Sequence, residues 1–186
     1  MISYALSPLA SAPRTARSRV PLVRMVLVAS MFLFALAPRL AALSPPAGKI
    51  VLTITGNIAF TNGVERADFD LAMLEALPQH SFSTRTPWYP TARTFSGPRL
   101  RDVLIAVGAQ GESLGASALN DYKTSIPFDD ARKFDVIIAL KLDEKPMTVR
   151  EKGPLFIIYP FDSKKELNTE LYYNRSAWQL RKLEVK

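Results

Sequence analysis

The chain has 186 residues, 48% of them apolar, no cysteine and a formal charge of +7. Five of its 24 basic side chains, Arg14, Arg17, Arg19, Arg24 and Arg39, fall within residues 1–44, which hold no acid, so the other 19 face 17 acidic groups. That near-balance offers no concentrated basic surface to displace counterions, which excludes nucleic acid as a partner; without thiols there are no disulfides, so a packed core must supply the stability.

Residues 1–44 have the order of an export signal: a basic stretch to Arg24, thirteen uncharged residues from Met25 to Ala37, then small residues at Ala41, Ala42 and Ser44. A spanning helix needs about 20 apolar residues, and Pro38-Arg39 interrupts this run earlier. Ala35-Leu36-Ala37 has the A-x-A form, but Pro38 follows it unfavourably, so the segment reads as a signal peptide or an uncleaved N-terminal anchor. A periplasmic or otherwise exported location is expected. Residues 45–49 are a Pro- and Gly-rich linker, and residues 50–186 form one domain.

Within that domain, Lys49 to Gly56 is a β-branched strand stopped by glycine, and Asn62-Gly63 a turn. Asp68 is the expected N-cap of a helix over Phe69 to Leu77, ended by Pro78. Ser81 to Gly97 is strand-like but broken by Pro87 and Pro90, which predicts an irregular hairpin or a long excursion. Gly97-Pro98 opens a helix with Leu100, Val103, Leu104 and Val107 in one stripe and Gly108 as its stop. Gly111, Ser113, Gly115 and Ser117 read as a flexible loop. Asp135 to Leu142 is a buried strand, Asp143 to Pro146 a turn, Leu155 to Tyr159 a second apolar strand and Lys164 to Tyr172 a short helix. Trp178 to Val185 is a last strand with a bulge. Short helices among mostly antiparallel strands define an α+β domain.

The order of these motifs resembles the molybdopterin-binding domain of sulfite-oxidase-like oxidoreductases. The matching segments are Leu52 to Gly56, the Gly97-Pro98-Arg99-Leu100-Arg101-Asp102-Val103-Leu104 helix start and Tyr122 through Ile126-Pro127-Phe128. Glu144-Lys145-Pro146-Met147, Lys152-Gly153-Pro154-Leu155 and the ending around Trp178 complete them. The resemblance implies a compact, mainly β fold with short peripheral helices and a cleft for a pterin–metal cofactor. In the catalytic members a cysteine thiolate ahead of the Gly-x-x-Leu-x-x-x-Leu helix ligates molybdenum. Here the corresponding stretch, Phe82 to Trp88, offers only the hydroxyls of Ser83, Thr84 and Thr86. An alcohol ionises far less readily than a thiol. The related enzymes also carry an arginine in the following strand where this chain has Phe156, whose ring cannot make a guanidinium's two directed bonds to an anion.

These departures favour a domain without catalytic or metal-ligating residues and without a resident cofactor, molybdopterin being the one the resemblance allows. The alternative is a molybdopterin-dependent oxidoreductase whose metal takes an oxygen ligand or only the pterin's dithiolene sulfurs. A structural subunit of a membrane-associated complex is a third reading.

Ser83, Arg85, Thr86 and Trp88 place hydroxyls, a cation and aromatic surface on one projecting segment, and Tyr122 and Lys123 are expected to approach the same cleft. Such a set suits a small anionic ligand or a segment of a membrane or periplasmic protein partner. His80 is the only histidine and has no metal-ligand cluster around it. A Ser–His–acid triad would have to use His80 with Ser81 or Ser83 as nucleophile, and Ser81 beside it would point to the opposite strand face; a surface or loop-anchoring role is expected. Asp129-Asp130 with Arg132-Lys133 reads as a solvated, locally paired helix end, and Asn174-Arg175-Ser176 matches a glycosylation acceptor. Tyr159, Phe161, Tyr172, Tyr173 and Trp178 are expected core and rim aromatics.

Overall fold

Period-two alternation builds the largest sheet. In β1 (Ile50–Gly56) Leu52 and Ile54 are fully buried, while Thr53 and Thr55 lie on the opposite face. The strand pairs antiparallel with β2 (Arg66–Asp70) and parallel with the last strand, β11 (Leu180–Val185). β5 (Ser113–Ala118) and β6 (Lys123–Pro127) continue the ladder, giving the order β2-β1-β11-β5-β6. The structure is a computed structural model and describes residues 43–186. The leader read from the first residues lies almost entirely outside them.

A second sheet has the order β3 (Gln79–Thr86), β4 (Tyr89–Pro98), β8 (Lys141–Leu142) and β9 (Lys145–Pro146). β7 (Ile137–Ala139) and β10 (Phe156–Ile158) pair antiparallel as a separate two-stranded sheet. β7 runs close against β4, where a Cβ on Gly97 would collide with the Ile138 carbonyl oxygen, so only glycine fits. One core joins these faces: Leu52, Phe69, Phe95, Leu114, Ile138 and Phe156 are each no more than 1% exposed. Each contributes on the order of 2 kcal/mol by leaving water. Among the described residues, four short helices lie around it: α1 (Leu71–Glu75), α2 (Leu100–Ala106), α3 (Phe128–Lys133) and α4 (Glu170–Arg175). The fold is α+β and mainly β, as expected.

Several local expectations are corrected. Asp68 does not cap a helix; it is a strand residue whose carboxylate accepts from Thr53 Oγ1 at 2.7 Å and from Arg66 Nε at 2.7 Å. Phe69 must face the core from β2, so the helix begins two residues later. Asp70 is its N-cap, accepting from the Met73 N–H at 2.8 Å and the Gly48 N–H at 2.7 Å. These backbone donors hold the Asp70 carboxyl below its ordinary pKa.

The expected loop at Gly111 to Ser117 is largely strand β5, because β11 and β6 pair with it on both sides. The Asp135 to Leu142 strand splits between two sheets. Lys164 to Tyr172 is a 3-10 turn at Lys165–Leu167 followed by α4. The bulge expected in the last strand is present as a register shift between Leu180 and Lys182.

Candidate functional site

The irregular hairpin expected between Ser81 and Gly97 is the β3–β4 pair, whose register shifts between Thr84 and Thr86 before the chain turns through Pro87 and Trp88. Thr86 Oγ1 accepts the Trp88 N–H at 3.3 Å and helps hold the turn. Trp88 thereby lies over the core's end, its ring centroid 5.4 Å from Phe156, 6.2 Å from Phe161, and 6.0 Å from both Tyr173 and Trp178. Edge-to-face contacts of this kind add to the area they bury.

Helix α4 supplies the facing wall, and a polar cluster at the edge of the core anchors it. Asp130 on α3 is only 5% exposed. It accepts from the Tyr159 hydroxyl at 2.8 Å and from Arg175 Nη1, at the end of α4, at 2.9 Å. The solvated helix end expected here is therefore half right: Asp129 pairs locally with Arg132 and Lys133 in solvent, whereas Asp130 is buried and bonded across the fold. Burial, then the Asp130 charge, pushes the Tyr159 hydroxyl far above the ordinary phenol range.

Between these walls opens a cleft of about 230 Å³ lined by Trp88, Tyr122, Tyr173 and Trp178, with Asn120, Asn174 and Ser176 as its polar groups. The Tyr122 hydroxyl donates to the Asn174 carbonyl at 2.6 Å, which ties the approach to β6 onto α4. Lys152 holds its ammonium 3.9 Å from the Trp178 ring centroid, and burial lowers its pKa. A larger trough of about 840 Å³ runs beside β1 and β2. It is open, and its cation Arg66 is already held by Asp68 at 2.7 Å. The aromatic cleft, half-open to solvent, is the better candidate site because aromatic rings and a few polar groups converge in it.

Of the residues read from the sequence, Trp88 and Tyr122 meet in this cleft. Ser83 and Arg85 are exposed on β3, on the face opposite Thr84 and Thr86, and Lys123 is exposed on β6. None of Ser83, Arg85, Thr86 and Lys123 lines the cleft. Arg85 forms no ion pair among the described residues; its N–H donates to Asp162 Oδ2 at 2.8 Å. His80 has its Nδ1 3.2 Å from Arg99 Nη2, the anchoring role expected of it. Tyr159 and Phe161 are buried, and Tyr172, Tyr173 and Trp178 pack at the rim. Sequence reasoning missed Asn120 altogether, took Asn174 and Ser176 only as a glycosylation motif, and took Tyr173 and Trp178 only as packing. The available signal was that the chain has two tryptophans, and both line this cleft.

The donor set does not fit a protein-ligated molybdenum centre. No cysteine exists in the chain, and no group of three or more His, Cys, Asp or Glu side chains among the described residues could hold a metal ion. The hydroxyls left on β3 ionise far less readily than a thiol; Thr84 Oγ1 accepts the Asp162 N–H at 3.0 Å and Thr86 Oγ1 accepts that of Trp88. Ser83 is exposed on the outer face of its strand. No lysine or arginine lines the cleft to receive a phosphate.

No curated protein matches the chain. A family model, the oxidoreductase molybdopterin binding domain, matches residues 52–162, more than half of the chain. That span runs from β1 through both sheets to the turn beneath Trp88, and the chain belongs to the oxidoreductase molybdopterin binding domain family.

Proposed function

We propose that this is an exported member of the family that carries out no metal redox chemistry and works as a binding module through its aromatic cleft. The observation that carries the reading is the donor set: the chain has no cysteine, and no group of three or more His, Cys, Asp or Glu side chains among the described residues could hold a metal ion. With sulfur absent, an oxygen ligand from Ser83, Thr84 or Thr86 would have to ionise, and an alcohol does so far less readily than a thiol. Aromatic surface with a few polar groups in a concave site suits a small ligand or a short segment of a membrane or periplasmic protein. The uncharged lining moves the expected anion contact out of the cleft. Arg85, exposed on the strand leading to Trp88, is where an acidic group of a partner would be met.

The test compares protein made in hosts with and without molybdenum-cofactor synthesis. A tightly held cofactor stabilises the folded state by mass action, so a binding module has the same melting temperature from both hosts. A clear rise confined to the cofactor-competent host would contradict the proposal.

A further inference from the structure

Resting on the reading of the cleft as a ligand site, we infer that its ligand is an uncharged, hydroxyl-rich ring compound the size of one sugar unit. Charge argues first. No carboxylate lines the cleft to balance an ammonium, and no lysine or arginine lines it to balance a phosphate or carboxylate.

Hydrogen-bonding capacity narrows the class. The hydroxyl protons of Tyr122 and Ser176 are spent on the Asn174 and Tyr172 carbonyls, at 2.6 and 3.0 Å, and that of Tyr173 on Asn168 Oδ1. These oxygens can then only accept. The side-chain amides of Asn120 and Asn174 and the indole N–H groups of Trp88 and Trp178 donate to no protein acceptor among the described residues. A ligand meeting both kinds of group needs polar atoms that donate and accept, which is what hydroxyls do. A wholly apolar ligand would make no use of these donors, which otherwise face water.

Shape agrees with chemistry. Aromatic rings on the wall suit the C–H groups of a sugar ring, and a cleft of about 230 Å³ limits the ligand to a small one.

The two tryptophans make the test site-specific, because every indole signal of this chain arises in the cleft. The full chain is titrated with methyl glycosides of glucose, galactose, mannose and N-acetylglucosamine, and separately with inorganic phosphate, tetramethylammonium chloride and p-xylene. Indole fluorescence and the two indole N–H resonances are followed. A ligand of about a dozen heavy atoms binds with Kd on the order of millimolar. At least one glycoside is expected to shift both resonances in that range, and Asn120→Ala and Asn174→Ala each to weaken it about ten-fold without moving the melting temperature. Silence toward all glycosides, or a stronger response to phosphate, tetramethylammonium or p-xylene, overturns the inference. Those results in metal-free protein leave the binding-module reading standing; stoichiometric molybdenum removes both.

Discussion

Removing Arg175 tests how the cleft wall is held. Arg175→Met leaves the Asp130 carboxylate, whose side chain is 7% exposed, with the Tyr159 hydroxyl as its remaining side-chain partner. Stripping one member of a buried pair costs about 3–5 kcal/mol because the other charge stays desolvated. Arg175 is itself 18% exposed and the Tyr159 bond survives, so the lower end, about 3 kcal/mol, applies here. For a domain of this size that lowers the melting temperature by roughly 10 °C. The triple variant Asp130→Leu/Tyr159→Phe/Arg175→Met removes the stranded charge and every group bonded to it, and is expected to recover most of the loss. Urea denaturation with melting curves is the assay. A single variant losing less than about 1 kcal/mol would mean that the pair behaves as a surface ion pair. α4 would then be anchored by its aromatic contacts instead.

Three further outcomes follow from named contacts. Trp88→Ala should destabilise by about 2–4 kcal/mol, below the value for a fully buried tryptophan because Trp88 keeps some exposure; a change under about 0.5 kcal/mol in urea would mean the ring does not pack as described. Asp70, whose carboxyl is held below its ordinary value of 3.8, stabilises the fold above that pH and stops doing so as pH falls through its lower folded value. Asp70→Ala should therefore melt at a lower temperature than the parent at neutral pH, with the gap closing in acid; a gap that widens in acid would reverse the sign. For export, N-terminal sequencing of native protein should find a mature chain beginning well beyond Arg24, and intact Met1 in soluble cytoplasm would contradict it.

Much of the fold was legible because its signals are local. The alternation of Leu52 and Ile54 with threonines needs only a strand, and the Leu100, Val103, Leu104, Val107 stripe needs only a helix. β5 was not legible. Its outward residues Ser113, Gly115 and Ser117 carry little strand preference, and pairing with β11 and β6 overrides them. Asp68 was misread for a similar reason, since the burial of Phe69 outweighs a local cap signal.

The site divides the same way. Trp88 and Tyr122 stand out by residue type, but the parity of β3 decides that Thr84 and Thr86 turn inward while Ser83 and Arg85 turn out. Hydroxyls on both faces of that strand hid its parity. The wall carrying Tyr173 and Asn174 depends on a contact between Asp130 and Arg175, 45 residues apart, which no short pattern encodes.

The most direct measurement is the molybdenum-to-protein ratio, by metal analysis, of native protein purified from a molybdenum-competent host. The proposed loss of metal redox chemistry predicts folded protein with a ratio near zero and no dye-linked oxidation or reduction. A ratio near one, with a centre that cycles electrons, would contradict it.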